Sequence, residues 1–306
     1  MADSPARATL RQCHCCGENR QLSFLYRKRG YAIIRCQVCG LKYVDQIPSR
    51  DELVHLYSEA FFSVGQKFSG HHGSAGLVNA QQRVEAVRRL PSVGRKRWLD
   101  VGCAIGDFLV CAETVVDDVA GIELSAFAAG QARMRGVTAT SGDFLTVEVS
   151  QASFDVVSMW DYLEHVPNPT ATLSKAFEVL KPGGYLALST GDADSLLARL
   201  AGRFWHLMIP PRHLYFFSPA TIRRLLTTAG LDVVEIGKPA KRVPLDFAVW
   251  KLADIMIPRV STHILRGAER LRLGSIAPRV NLFDIMTVFA RKPEHPDPVH
   301  DSNTSA

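Results

Sequence analysis

Trp98-Leu99-Asp100-Val101-Gly102-Cys103-Ala104-Ile105-Gly106-Asp107-Phe108-Leu109 is the stretch whose reading decides the fold. Leu99 and Val101 suit a buried strand, while Phe108, Leu109, Ala112, Val115 and Val116 recur at helical spacing, so the pattern predicts strand, tight turn and helix. Two glycines and an alanine fill the turn. Small residues there let a ligand approach the backbone, beside helix N–H groups suited to a carboxylate.

Working outward, the alternation continues through Val119–Ile122, Ser125–Arg135, Val137–Thr140, Phe154–Trp160, Pro169–Leu180 and Tyr185–Ser189. Alternating strands and helices predict an α/β fold, a parallel sheet with helices on both faces. Ligands in such sheets bind beyond the carboxyl ends of the strands. The residues found there form a set: Glu123 and Leu124 after the second strand, Asp143 and Phe144 after the third, and Trp160-Asp161-Tyr162-Leu163-Glu164-His165 after the fourth.

Upstream, Cys13-His14-Cys15-Cys16-Gly17 and Cys36-Gln37-Val38-Cys39-Gly40 are two C-x-x-C-G knuckles separated by nineteen residues. That spacing predicts a structural Zn²⁺ held by Cys13, Cys16, Cys36 and Cys39 in a closed tetrahedral shell. Cys15 or His14 can replace a ligand in the first knuckle, but only Cys13 with Cys16 keeps the two-residue gap. Tyr31–Arg35 and Leu41–Val44 read as short strands flanking the second knuckle, in the manner of a zinc ribbon. Helices are expected over Asp51–Phe62 and Asn79–Leu90, with a loop rich in Gly, Ser and His between them at Ser63–Gly76, where His71 and His72 read as solvated. Tyr57 and Phe61 either cover a ligand or pack against the ribbon.

The chain of 306 residues is 47% hydrophobic and 22% charged, an ordinary globular balance. Met1–Gln12 shows no leader pattern, and no run of about 18 apolar residues marks a membrane span, so a cytoplasmic location is expected. The seven cysteines then read as thiols or metal ligands rather than disulfides. The net charge of +6 resides in residues 241–292, which hold ten basic and four acidic residues.

The motifs L-D-V-G-C-A-I-G-D-F-L, G-I-E-L-S, S-G-D-F, F-D-V-V-S-M-W-D-Y-L-E-H-V and L-K-P-G-G-Y-L, in this order, make the chain resemble the class I S-adenosylmethionine-dependent methyltransferases. The resemblance implies a Rossmann-like seven-stranded sheet, mostly parallel, its last strand antiparallel, with the zinc ribbon ahead of it. It further implies that Asp100, Gly102, Ala104 and Gly106 hold the methionine part of the donor, Glu123 with Leu124 the ribose, and Asp143 with Phe144 the adenine, Trp160 and Asp161 closing the set. A dinucleotide fold is the competitor. Gly102-x-Ala104-x-Gly106 is not G-x-G-x-x-G, and Asp100 makes more sense near a cationic ammonium or sulfonium. Ala104 stands where most of the family has glycine.

Domain organisation follows: ribbon over 1–47, linker and helical flap over 48–96, methyltransferase domain over 97–292 and a disordered tail over 293–306. A helical insert spans about 238–281 and carries the basic charge; it reads as a packed insert, a lid, a dimer surface or a contact with acidic lipid. A helix is expected over Gly191–Ala201, followed by an aromatic connector, Gly202–Phe217, overhanging the reaction centre. Leu231–Ile236 and Leu282–Ala290 close the sheet as an antiparallel pair. An alcohol or phenol acceptor needs a base, and the candidates are His165 and His213, with Arg212 available for an anionic group. A small-molecule acceptor is favoured. The rivals are an RNA or protein methyltransferase gripping its substrate with ribbon and insert, for which stacking aromatics are few, and a non-catalytic donor-binding protein, against which the acids Asp100, Glu123 and Asp143 speak.

Overall fold

The computed structural model describes residues 8–9, 12–59, 62, 73–249 and 276–294. Phe61, residues 63–72 of the glycine-rich loop with His71 and His72, the centre of the insert at 250–275, and the tail beyond 294 lie outside the described residues.

The first part of the chain contains strands β1 (Ala8–Thr9), β2 (Leu22–Lys28), β3 (Tyr31–Cys36), β4 (Lys42–Val44) and β5 (Gln46–Ile47), then helices α1 (Arg50–Leu56) and α2 (Gly73–Arg88). Helix α1 stops at Tyr57, short of the expected Phe62, and opens on a Ser49/Glu52 capping box. Helix α2 starts at Gly73, six residues before the expected Asn79, so the last part of the anticipated loop is helical.

The second part alternates: β6 (Arg97–Val101), α3 (Asp107–Ala112), β7 (Asp118–Glu123), α4 (Ala126–Met134), β8 (Thr138–Ser141), β9 (Phe154–Trp160), a 3₁₀ turn at Leu163–His165, α5 (Pro169–Val179) and β10 (Leu180–Gly191). Then come α6 (Leu196–Ala201), β11 (Tyr215–Phe216), α7 (Pro219–Thr228), β12 (Asp232–Gly237), β13 (Lys241–Arg242), β14 (Arg279–Val280) and β15 (Ile285–Arg291). Helices α3 and α6 are shorter than the periodicity predicts; Ser195 caps α6 where the sequence suggests a start near Gly191.

Seven strands form one sheet in the order β12-β15-β10-β9-β6-β7-β8. Strands β6 to β10 pair in parallel, while β15 runs antiparallel to both β10 and β12, as expected for the last strand. Strand order reverses between β6 and β9, since β7 and β8 lie on one side of β6 and β9 on the other. A crevice opens beyond the carboxyl ends at such a switch point, and Asp100 to Gly106 and Trp160–Asp161 flank it. Both faces of the sheet are covered. Leu99, Val157, Met159 and Leu186 pack on one side, and Trp98, Val156, Tyr185 and Phe289 on the other. Burial on two faces explains why β6 and β9 read as continuous apolar runs.

The strands around the knuckles form a second sheet, termed the ribbon, in the order β11-β4-β3-β2. Strand β11 comes from the aromatic connector much later in the chain and pairs antiparallel with β4 through Tyr215 opposite Tyr43 and Phe216 opposite Lys42. That connector was expected as a loop. Ribbon residues Cys13, Ile33, Leu41 and Tyr43 belong to the same hydrophobic cluster as Leu163, Leu214 and Phe217. At the other end, β13 pairs with β14 and closes the base of the insert.

Candidate active site

The turn after β6 is left-handed at alternate residues: Gly102 at φ 75°, Ala104 at 50° and Gly106 at 83°. Gly102 and Cys103 both donate their N–H groups to the Ile122 carbonyl, at 2.8 and 3.3 Å, tying the turn to β7. The Tyr162 ring lies against Gly102 so closely that no Cβ would fit there. Glu123 explains how Ala104 sits in an unfavourable region, because the Ala104 N–H donates to Glu123 Oε2 at 3.0 Å while Ser125 N–H donates to Oε1 at 2.9 Å. Each carboxylate oxygen keeps a second lone pair for a diol. Burial raises the Glu123 pKa.

Asp100 is 3% exposed, and Ser158 Oγ donates to it at 2.6 Å. Desolvation pushes its carboxyl up to about 7, while the Ser158 bond and the Arg83 charge pull the other way. Asp143 lies after β8 and accepts the Leu145 N–H at 2.9 Å. Phe144, which follows it, is 1% exposed and packed in the core, with Lys175 Nζ 5.2 Å from the ring centroid. Leu124 sits half-buried after β7. Trp160 is buried, with its indole N–H lacking a partner and the Arg83 guanidinium 5.0 Å above the ring.

Asp161 is the most engaged of the expected donor-site residues. Arg83 contacts it at 2.5 Å, Lys241 at 3.2 Å and Ser189 Oγ at 2.8 Å. Two cations on one carboxylate commit this side chain to joining α2, β10 and the base of the insert. Burial lowers the Lys241 pKa, partly restored by Asp161. Arg83 and Lys241 were missed in the sequence. The only signal for Arg83 was a cation on the polar face of a helix ahead of the first motif.

On the other wall, the 3₁₀ turn presents His165. Its Nδ1 lies 2.8 Å from both Tyr57 Oη and the Arg212 carbonyl. His213 packs edge-on against it with ring centroids 4.7 Å apart, so the two candidate bases come together. A carbonyl only accepts, which places the Nδ1 proton on the bond to Arg212 and leaves Nε2 as the lone-pair nitrogen. Burial lowers the His165 pKa below that of free histidine. Glu164 beside it is 3% exposed, its Oε2 unpartnered, and desolvation plus the Asp161 charge lift its pKa to about 8.

The four knuckle thiols also converge. Their sulfurs lie within 4.8 Å of one another, Cys13 and Cys39 at 3.5 Å, Cys16 and Cys36 at 3.5 Å. Those gaps are too long for disulfides and close to the roughly 3.8 Å edge of a tetrahedron built on 2.3 Å Zn–S bonds. Gly17 and Gly40, at φ 76° and 83°, turn each knuckle back on Cys13 and Cys36. Cys15 lies at the edge of this cluster, its thiol donating to the Thr221 carbonyl at 3.6 Å and also interacting with Cys39. The Tyr43 hydroxyl is buried without a partner, and burial raises its pKa, with smaller contributions from Cys13 and Cys36.

A mostly parallel Rossmann-like sheet, a small-residue turn at its switch point and acids after successive strands define a nucleotide-cofactor enzyme. Comparison with known proteins narrows this. A family model described as methyltransferase domain matches residues 78–236. The ubiquinone biosynthesis O-methyltransferase of Thiobacillus denitrificans is 34% identical over 163 residues, covering 48% of this chain and 69% of its own length. That of Hydrogenovibrio crunogenus is 27% identical, covering 55% and 74%. Among solved structures, magnesium protoporphyrin IX methyltransferase from Synechocystis superposes with TM-score 0.53 at 15% identity, covering 80% of this chain and 100% of that one. The [4+2]-cyclase SpnF superposes at 0.55 and 19%, covering 81% and 98%, so likeness of fold by itself does not select the reaction. The chain belongs to the methyltransferase domain family and is an S-adenosylmethionine-dependent methyltransferase.

Proposed function

We propose that this enzyme methylates a hydroxyl group of a small molecule, with His165 as the general base. The observation that carries the reading is the His165 environment: Nδ1 anchored by Tyr57 and Arg212, burial favouring the neutral ring, and His213 packed edge-on against it. S-adenosylmethionine supplies an electrophilic methyl on a sulfonium. The chain must align an acceptor, exclude water and remove a proton. His165 Nε2 would take that proton, His213 would restrict the ring, and Arg212 would meet an anionic substituent. Asp100 suits the donor's ammonium, Arg83 its carboxylate and Glu123 its ribose diol. The O-methyltransferase names of the relatives agree with a hydroxyl acceptor. Only 48% of this chain lies in the first of those matches, so the acceptor itself need not be shared.

The donor set of four thiolates, paired turns and a buried hydroxyl fits a structural zinc held by Cys13, Cys16, Cys36 and Cys39. No helix among the described residues is long and apolar enough to cross a membrane. The test is methyl transfer to a panel of phenols and alcohols. Transfer to oxygen that falls about 10²- to 10⁴-fold in His165→Ala supports the reading, and undiminished transfer by that variant contradicts it.

A further inference from the structure

We infer that the ribbon is a positioning element of the acceptor site, acting through the Val44 amide on the segment His213–Phe217; this rests on the reading of that segment as the acceptor wall. Val44 N–H donates to the Leu214 carbonyl at 2.8 Å, and the Leu214 N–H in turn donates to the Glu164 carbonyl at 2.8 Å. A single line of main-chain bonds therefore runs from the ribbon through Leu214 to the turn that carries His165. His213 immediately precedes Leu214, and the next residues, Tyr215 and Phe216, pair with β4 as the edge strand of the ribbon sheet.

Both knuckles feed this contact. Strand β4 begins three residues after Cys39, and the first knuckle reaches the same region from the opposite side: Thr170 Oγ1 donates to the His14 carbonyl at 2.7 Å, and the Cys15 thiol meets the Thr221 carbonyl. Tyr215, its ring tilted against His14 with centroids 5.7 Å apart, donates its hydroxyl to the Pro167 carbonyl at 2.9 Å and binds the two acceptor-side loops together. No comparable hydrogen bond among the described residues joins the ribbon to Asp100, Glu123 or Asp143, whose side-chain partners are Ser158, Ala104, Ser125 and Leu145. The ribbon thus holds the acceptor half of the site and leaves the donor half to the sheet. A misplacement of about 1 Å in a reacting group costs on the order of a hundredfold in rate, so main-chain registry here sets turnover.

The experiment compares the full-length wild type with Val44→Pro, which removes the amide donor on the β11 side of the strand. Hydrogen–deuterium exchange, S-adenosylhomocysteine affinity and acceptor kinetics with their pH dependence are measured on each. The expected result is faster exchange over 213–217, a kcat/KM for acceptor lowered about ten- to a hundredfold with the acid limb of its pH profile shifted up as His165 loosens, and donor-product affinity within about twofold. Unchanged exchange, or donor affinity falling in step with turnover, overturns the inference. Where Val44→Pro binds no S-adenosylhomocysteine, Thr170→Val decides: faster exchange over 163–170 with donor affinity kept supports it, and unchanged exchange overturns it. Full activity in His165→Ala would remove the base reading while leaving the exchange result to stand or fall separately.

Discussion

Asp100 is a carboxylic acid held almost out of water, near neutrality because burial and the Arg83 charge oppose each other. Its folded pKa of about 7 lies above the unfolded value near 3.9, so the carboxyl favours the folded state at low pH and that contribution is lost as pH rises from about 4 through 7. A bound ammonium favours the ionised form. S-adenosylhomocysteine binding near pH 6.5 is therefore expected to release a proton, making the calorimetric enthalpy depend on the buffer's ionisation enthalpy, and Asp100→Asn abolishes that dependence. His165 shifts the opposite way. Its folded pKa lies below about 6.5, so turnover is expected to fall only below the ordinary histidine range, and its contribution to stability is lost as pH falls through that region. Ala104 occupies a left-handed conformation that costs an alanine about 1 kcal/mol or more and a glycine little, offset by the extra freedom of glycine in the unfolded chain. Ala104→Gly should keep its melting temperature within a few degrees and bind S-adenosylhomocysteine as before, whereas Ala104→Val should lose both.

Among the elements, α7 shows how local sequence sets an end: Ser218 and Thr221 form a reciprocal capping box with Pro219 in the first turn, all at the close of the ribbon-paired segment. Ser218→Ala should cost about 1 kcal/mol and lower the calorimetric melting temperature by about 2 °C. Such caps were legible, as were β6, β7, β9 and β10, because strands buried on two faces write their position in runs such as Phe154–Trp160. Strand β2 was not, since its residues alternate between half-buried and exposed around an irregularity at Phe24–Tyr26. Strand β11 was not either: two residues are too few for a period, and their partners, Tyr43 and Lys42, are remote in sequence. The acids and small residues of the donor turn carried their own signal. Arg83 did not, because its meeting with Asp161 is a product of topology.

For the whole molecule, the shared hydrophobic cluster makes ribbon and sheet one packed body rather than a module on a tether. Elemental analysis should find about one zinc per chain, lost in Cys36→Ser/Cys39→Ser, and chelation should lower the main melting transition instead of removing a separate small one. The division of labour proposed above is simple: the switch point of the sheet would hold the donor, and the ribbon-braced wall the acceptor and its base. Titration of S-adenosylhomocysteine into the wild type and into Asp100→Ala/Glu123→Ala, followed by calorimetry, tests that division at its origin. Saturable binding by the wild type that weakens by at least about tenfold in the double variant, each lost charged hydrogen bond being worth about 1.5–3 kcal/mol, is the expected result. Equal binding by the two proteins would contradict it.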